Sequence, residues 1–365
     1  MQDRIFFKEI KIFLVLLSVV ILTSILGQII AFGGFESQVR RHILKIIFGL
    51  GILFVVSRIN VRFWKSLAHI VYVFCFFSLI LVNLLGSTRL GAQRWIDLYF
   101  FSFQPSEFMK LSLILSLSSY YSDLSSYELR EAKSHLIPFL MTAVPTVIIL
   151  KQPDLGTAML LLGVGVGMIF LAGFPTKKFV WSVVGFLGIC PVGWHFLHDY
   201  QKNRILNFID PNRDPFGTGY HILQSRIAIG SGHVFGKGLF HGTQSSLNFL
   251  PEKHTDFIFT TISEELGFVG AVLIILLFAG LIYFFFWIGN ESKSRFSRYL
   301  SFGLGLILFL HVFINIGMVL GILPVVGVPL PFLSYGGSSL ITFMISSGLV
   351  ISMSSKARGE RNYIE

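Results

Sequence analysis

The chain has 365 residues, enough for two or three water-soluble domains, yet 53% are hydrophobic, only 13% are charged and the mean hydropathy is +0.73. That composition excludes a water-facing globule, a disordered chain, collagen and a coiled coil, and the 39 Phe and 35 Gly suit a bilayer, where Phe partitions into lipid and Gly lets helices approach closely. The net charge of +10 does not indicate nucleic acid, because the 29 Lys and Arg are spread between apolar segments without a basic domain.

A spanning helix needs about 20 apolar residues to cross about 30 Å of hydrocarbon. Ten segments are expected to do so, approximately 12–32, 43–56, 67–86, 108–121, 136–150, 155–173, 179–197, 266–288, 300–323 and 340–353. The first lacks a small-residue cleavage site and is read as a retained span rather than a signal peptide. Cys75 and Cys190 lie inside apolar runs and read as packing residues, not as a disulfide. Before the fourth span come Arg94, Trp95 and Asp97, then Gln104, Pro105 as an early-helix proline and Ser106 as its cap. Glu107 and Lys110, three apart on one helix face, either pair with each other or serve a site.

Lys151-Gln152-Pro153-Asp154 joins the fifth span to the sixth, where Gly163 and Gly167 are spaced for helix packing, as are Gly317 and Gly321 later. Residues 198–265 form the only large loop. Its histidines, His221, His233, His241 and His254, lack a compact metal-ligand spacing. Its sequence from Gly232 to Gly238 approaches a nucleotide-binding loop but has one residue too few between its glycines and no Ser or Thr for magnesium. Glu264 and Glu265 suit the dipole at the start of the eighth span. Asp256 lies between Phe249 and Phe259 at a membrane edge, where desolvation is expected to raise its pKa toward that of a general base. Ser334 to Ser339 lead into the tenth span.

Lys and Arg set the orientation. Sixteen fall on the side of the N-terminus and five in the opposite short loops, so both termini are expected to be cytoplasmic and the 198–265 loop outside. The polar residues named above then gather on the outer side, as ionisable groups lining one cavity would. Without a nucleotide site, an enzyme here needs a substrate carrying its own activation, such as a lipid-linked pyrophosphate. The expected fold is an all-α polytopic membrane protein of ten helices, a single domain over 1–365 with one large outer loop.

Five stretches carry a resemblance: Arg94-Trp95-Ile96; Phe103 to Lys110; Lys151 to Thr157; Pro251 to Phe259; and Leu333 to Ser339. In this order, over nearly the whole chain, they resemble the SEDS family of bacterial shape, elongation, division and sporulation proteins. Residues 323–331 and Gly242-Thr243-Gln244 are more like the elongation members than the division members. The resemblance implies a peptidoglycan glycosyltransferase that polymerises lipid II at the outer face of the cytoplasmic membrane, beside a class B penicillin-binding protein in an elongation complex. It places the essential aspartate on Asp256 and cavity residues on Trp95, Glu107, Lys110, Asp154 and Ser334, with Arg94 adjoining and His254 beside the aspartate. In that scheme Asp256 is the base, and Arg94 and Lys110, with or without a divalent cation such as Mg or Mn, offset charge on the pyrophosphate. A precursor flippase is the alternative class, and the one-sided placement of polar residues argues against it. A non-catalytic scaffold would leave Asp256 unexplained.

Overall fold

The structure, a computed structural model, describes residues 2–89, 92–98, 101–196, 199–214, 217–247, 249–250 and 252–359. The chain is overwhelmingly helical: α1 (Gln2–Phe32), α2 (Ser37–Arg58), α3 (Val61–Leu85), α4 (Pro105–Asp123), α5 (Leu136–Lys151), α6 (Leu155–Leu171), α7 (Thr176–Phe196), α8 (Asp199–Ile209), α9 (Thr218–Ser231), α10 (Thr243–Ser246), α11 (Ile258–Glu291), α12 (Arg295–Val319) and α13 (Gly337–Gly359). A helix lies over each of the ten expected spans. Among the described residues six helices, in α1, α3, α5, α11, α12 and α13, are long and apolar enough to cross a membrane. To the expected helices is added a small antiparallel sheet after α3, made of β1 (Ser87–Arg89), β2 (Ala92–Leu98) and β3 (Phe101–Phe103), with Ser87 opposite Trp95 and Ile96 opposite Phe103.

Two compact units divide the chain, each assembled from three stretches. One comprises Met1–Gly51, Asp199–Phe284 and His311–Phe343; the other comprises Ile52–His198, Phe285–Leu310 and Met344–Glu365. In the first unit, Phe13 stacks on Phe284 with ring centroids 4.3 Å apart, and glycines bring α1 and α11 close: a Cβ on Gly27 would lie 2.7 Å from Ile262, and one on Gly280 would lie 2.9 Å from Leu16. This is the small-residue packing that holds helices together where lipid removes the hydrophobic drive.

In the second unit α4 is buried almost throughout, its serines bonding to its own carbonyls and to His69, whose Nδ1 lies 2.6 Å from Ser116 Oγ. Gly163 and Gly167 do serve packing, facing Leu310 and Leu306 of α12. Gly317 and Gly321 do not form such a stripe. Gly317 lets Leu323 fold back against α12, and Gly321 lies past the helix end at φ +72°, against Arg226. Cys75 is free and buried.

Candidate functional site

The candidate residues divide between the units, and each set is built locally. In the second unit, Gln104 is the N-cap of α4 and Pro105 opens the helix, so Ser106 lies inside the first turn instead of capping it. Burial there is deep: Glu107 is 3% exposed and Lys110 1%, with Lys110 Nζ donating to Glu107 Oε1 at 2.8 Å. The pairing expected from their spacing is therefore an interior ion pair, with Glu107 Oε2 buried and unbonded. Asp154, 2% exposed, caps α6 by accepting from Thr157 N at 3.2 Å. Its carboxylate also accepts from Gln104 Nε2 at 3.3 Å and faces Arg94 Nη1 at 3.6 Å. Arg94, on β2, donates from Nη2 to the Pro153 carbonyl, so one guanidinium ties the sheet to the α5–α6 junction. Trp95 follows on β2, half-buried.

In the first unit, Asp256 sits in the turn preceding α11, partly buried, and Phe257 and Phe259, which follow it in the chain, are buried. Glu252 organises this turn: its backbone carbonyl accepts from Thr255 N and Phe257 N, and its carboxylate accepts from Thr255 Oγ1 at 2.7 Å. The carbonyls of residues 254, 255 and 256 are then each taken by a buried side chain from elsewhere. Gln28 Nε2 of α1 donates to His254 O at 3.1 Å, Ser334 Oγ to Thr255 O at 2.7 Å, and Asn315 Nδ2 of α12 to Asp256 O at 2.9 Å. Tyr335 N adds a second bond to His254 O at 2.8 Å. Ser334 thus spends its hydroxyl on backbone, also accepting from Leu330 N at 2.8 Å.

The His254 ring lies 5.0 Å from Phe32 and 6.0 Å from Tyr335, and Lys45 Nζ stands 4.0 Å over the Tyr335 ring. Burial pushes His254 below the usual histidine range, with Lys253 adding to the effect and Glu252 opposing it. Gly327, at φ +73°, passes so near that a Cβ on it would lie 3.4 Å from Asp256 Oδ2. Gln28 and Asn315 were not singled out by sequence, though an amide inside an apolar span was the available signal.

Glu264 and Glu265 do more than suit a helix dipole. The helix α11 begins at Ile258 and breaks at Gly267, whose φ of +68° is non-helical. Around the break the turn segment 233–238 pairs with the freed backbone groups: Phe268 N donates to His233 O, Val269 N to Val234 O, Lys237 N to Glu264 O and Gly238 N to Glu265 O. Glu264 Oε1 accepts from Lys237 Nζ at 2.7 Å and Gln244 N at 3.0 Å, while Glu265 Oε2 accepts from Phe240 N at 2.7 Å. The glycines that resembled a nucleotide loop serve this backbone-on-backbone approach. A Cβ on Gly236 would fall 2.0 Å from Glu265 O, and one on Gly232 2.4 Å from Ser263 O. Among the described residues no group of three or more His, Cys, Asp or Glu side chains is placed to hold a metal ion.

The comparisons with known proteins agree with one another. The profile of the FtsW/RodA/SpoVE family, described as "Cell cycle protein", matches residues 4–359. Over 318 residues the chain is 44% identical to the peptidoglycan glycosyltransferase MrdB of Escherichia coli K12, covering 87% of this chain and 85% of that one. A chain of a peptidoglycan synthase complex, solved to show how polymerisation and crosslinking are coordinated, superposes with a TM-score of 0.84 at 28% identity, over 95% of this chain and 97% of that one. The rod shape determining protein RodA of Thermus thermophilus does so with a TM-score of 0.72 at 25% identity, over 95% and 96%.

Proposed function

Because the chain belongs to the FtsW/RodA/SpoVE family, we propose that it is a peptidoglycan glycosyltransferase of the elongation type, polymerising lipid II in the bacterial cytoplasmic membrane. The observation that carries the site assignment is Asp256, a carboxylate on a turn whose three successive carbonyls are held by buried donors. Such fixing of a reacting group's backbone is what positioned acid–base chemistry requires.

In the reaction Asp256 takes the proton from the acceptor sugar's 4-hydroxyl as that oxygen bonds to the donor's anomeric carbon. The bond from this carbon to the lipid pyrophosphate breaks, with inversion, and the lipid pyrophosphate departs. One carboxylate suffices, since no water has to be activated on the opposite face. Arg94 and the Glu107–Lys110 pair are substrate-binding residues in this reading, with Trp95 and Asp154 in the same unit; His254 and Ser334 are the substrate-binding residues of the unit that carries Asp256. The loop 198–265 is the outer catalytic segment of a single membrane domain, the spans number ten, and both termini are cytoplasmic. The partner is a class B penicillin-binding protein that crosslinks the new strand within an elongation complex; the similarity to a chain of a polymerising and crosslinking complex supports this.

The test is the initial rate of glycan formation from lipid II by purified protein, with and without the transpeptidase. Asp256→Asn, nearly isosteric but scarcely basic, is expected to lose about 10²–10⁴-fold or more while still inserting and binding its partner. Near-normal polymerisation by that variant would reject Asp256 as the base. Activity absent from the unaltered protein too, despite the partner, would favour transport of lipid-linked precursors.

A further inference from the structure

The bond from α12 to Asp256 has a second half. Asn315 is fully buried within an apolar span, and its Nδ2 donates to two carbonyls at once, Asp256 O at 2.9 Å and Val328 O at 2.7 Å. An amide nitrogen has two hydrogens, so this pair of acceptors uses its donor capacity in full and fixes which way the amide points. The other end of the amide, Oδ1, is buried without a partner. Packing alone would place Leu here at lower cost, because an unbonded polar atom in such surroundings is unfavourable.

What the two bonds join is informative. One acceptor is the backbone of Asp256; the other lies one residue after Gly327, the glycine whose backbone runs beside the Asp256 carboxylate. Gly327 adopts φ +73°, a conformation that favours residues without a Cβ, and has its neighbours Val326 and Val328 buried. The segment beside the carboxylate and the backbone that carries the carboxylate are therefore registered to each other through a single side chain on a third element.

We infer that Asn315 is a positioning residue for the transfer reaction, holding the Asp256 turn and the Gly327–Val328 segment in one fixed register so that the carboxylate meets the acceptor hydroxyl at hydrogen-bond distance. The inference rests on Asp256 being the base. Gln28 and Ser334 fix the two preceding carbonyls, but neither bonds to the segment that flanks the carboxylate. Asn315 alone among the three spans both, so its loss should be felt in the chemical step more than in substrate capture.

The experiment measures initial rates across lipid II concentrations for Asn315→Leu, Asn315→Gln, Gly327→Ala and Asp256→Asn, each purified with the transpeptidase partner and matched for folded protein by thermal melting. Asn315→Leu is expected to lower turnover about 10–100-fold, the scale on which a displacement of about 1 Å acts, with KM for lipid II changed less than about twofold. Asn315→Gln, which keeps the two donors on a longer stem, should recover part of that loss. Gly327→Ala leaves Asn315 in place, covers the case in which Asn315→Leu does not fold, and should also lower turnover with KM little changed. Wild-type turnover in Asn315→Leu or in Gly327→Ala, or a loss of activity that follows the melting temperature with no separation of kcat from KM, would overturn the inference. An inactive Asp256→Asn beside a normal Asn315→Leu would overturn it alone, whereas a normal Asp256→Asn would remove the base assignment and this inference together.

Discussion

Buried charge dictates how individual residues should respond to substitution. Lys110 and Glu107 are both out of solvent and 2.8 Å apart, so removing one partner strands the other. Breaking a buried pair costs about 3–5 kcal/mol, while replacing both partners together is often close to neutral. Lys110→Met should accordingly lower the melting temperature of the detergent-solubilised protein, and adding Glu107→Gln should restore most of it. Polymerisation should stay lost in the double variant; full activity there would remove the pair from the substrate site.

His254 makes a pH prediction. Its pKa is lowered in the folded state, mainly by burial, so the unfolded chain takes up a proton near pH 6.5 before the folded one does. The stability it contributes is present above about 6.5 and is lost as pH falls toward its folded pKa. The melting temperature should drop between pH 7 and pH 5, and His254→Gln should flatten that dependence. An unchanged slope in the variant would assign the drop to other groups. Sequence gave good access to Asp256, Glu107, Lys110 and Asp154, because charged residues beside long apolar runs stand out. It hid Gln28 and Asn315, whose importance lies in partners 226 to 305 and 59 residues away along the chain respectively.

At the level of elements, hydropathy located a helix over every expected span, since apolar length is a local property. It did not reveal that α11 breaks at Gly267, because the break is stabilised by a segment some 30 residues earlier whose carbonyls at His233 and Val234 accept from Phe268 and Val269. Nor did it distinguish glycines that face another helix, such as Gly163 and Gly167, from Gly236 and Gly267, which let backbone touch backbone. Gly236→Ala is the sharp test of the docked loop. Its Cβ would meet Glu265 O at 2.0 Å from a φ of +84°, so the 233–246 segment should detach and become susceptible to limited proteolysis. Resistance equal to that of the unaltered protein would show that the loop holds by its side chains alone. The small sheet was likewise hidden, because Arg94 and Trp95 lie on β2, whose run Ala-Gln-Arg-Trp-Ile-Asp-Leu does not alternate regularly between polar and apolar residues.

For the molecule as a whole, orientation follows from charge. A cysteine at Phe235, 83% exposed in the large loop, should react with a membrane-impermeant thiol reagent added outside spheroplasts, while one at Tyr127, 74% exposed between α4 and α5, should react only after permeabilisation. Outside labelling at position 127 would reverse the proposed topology. Both native cysteines, Cys75 and Cys190, are first replaced by Ser, so that only the introduced thiol can react. Within the first unit, Gln28 near the start of the chain takes as acceptors the carbonyls of His254 and Leu333. At about 5–20 residues per second of synthesis, the 305 residues between Gln28 and Leu333 occupy a ribosome for roughly 15–60 seconds. Over that interval the Gln28 amide gains its acceptors one at a time, His254 O after 226 residues and Leu333 O after 305, so the nascent chain is expected to need an insertion machinery that shelters a partly unsatisfied helix until its last partner has been made.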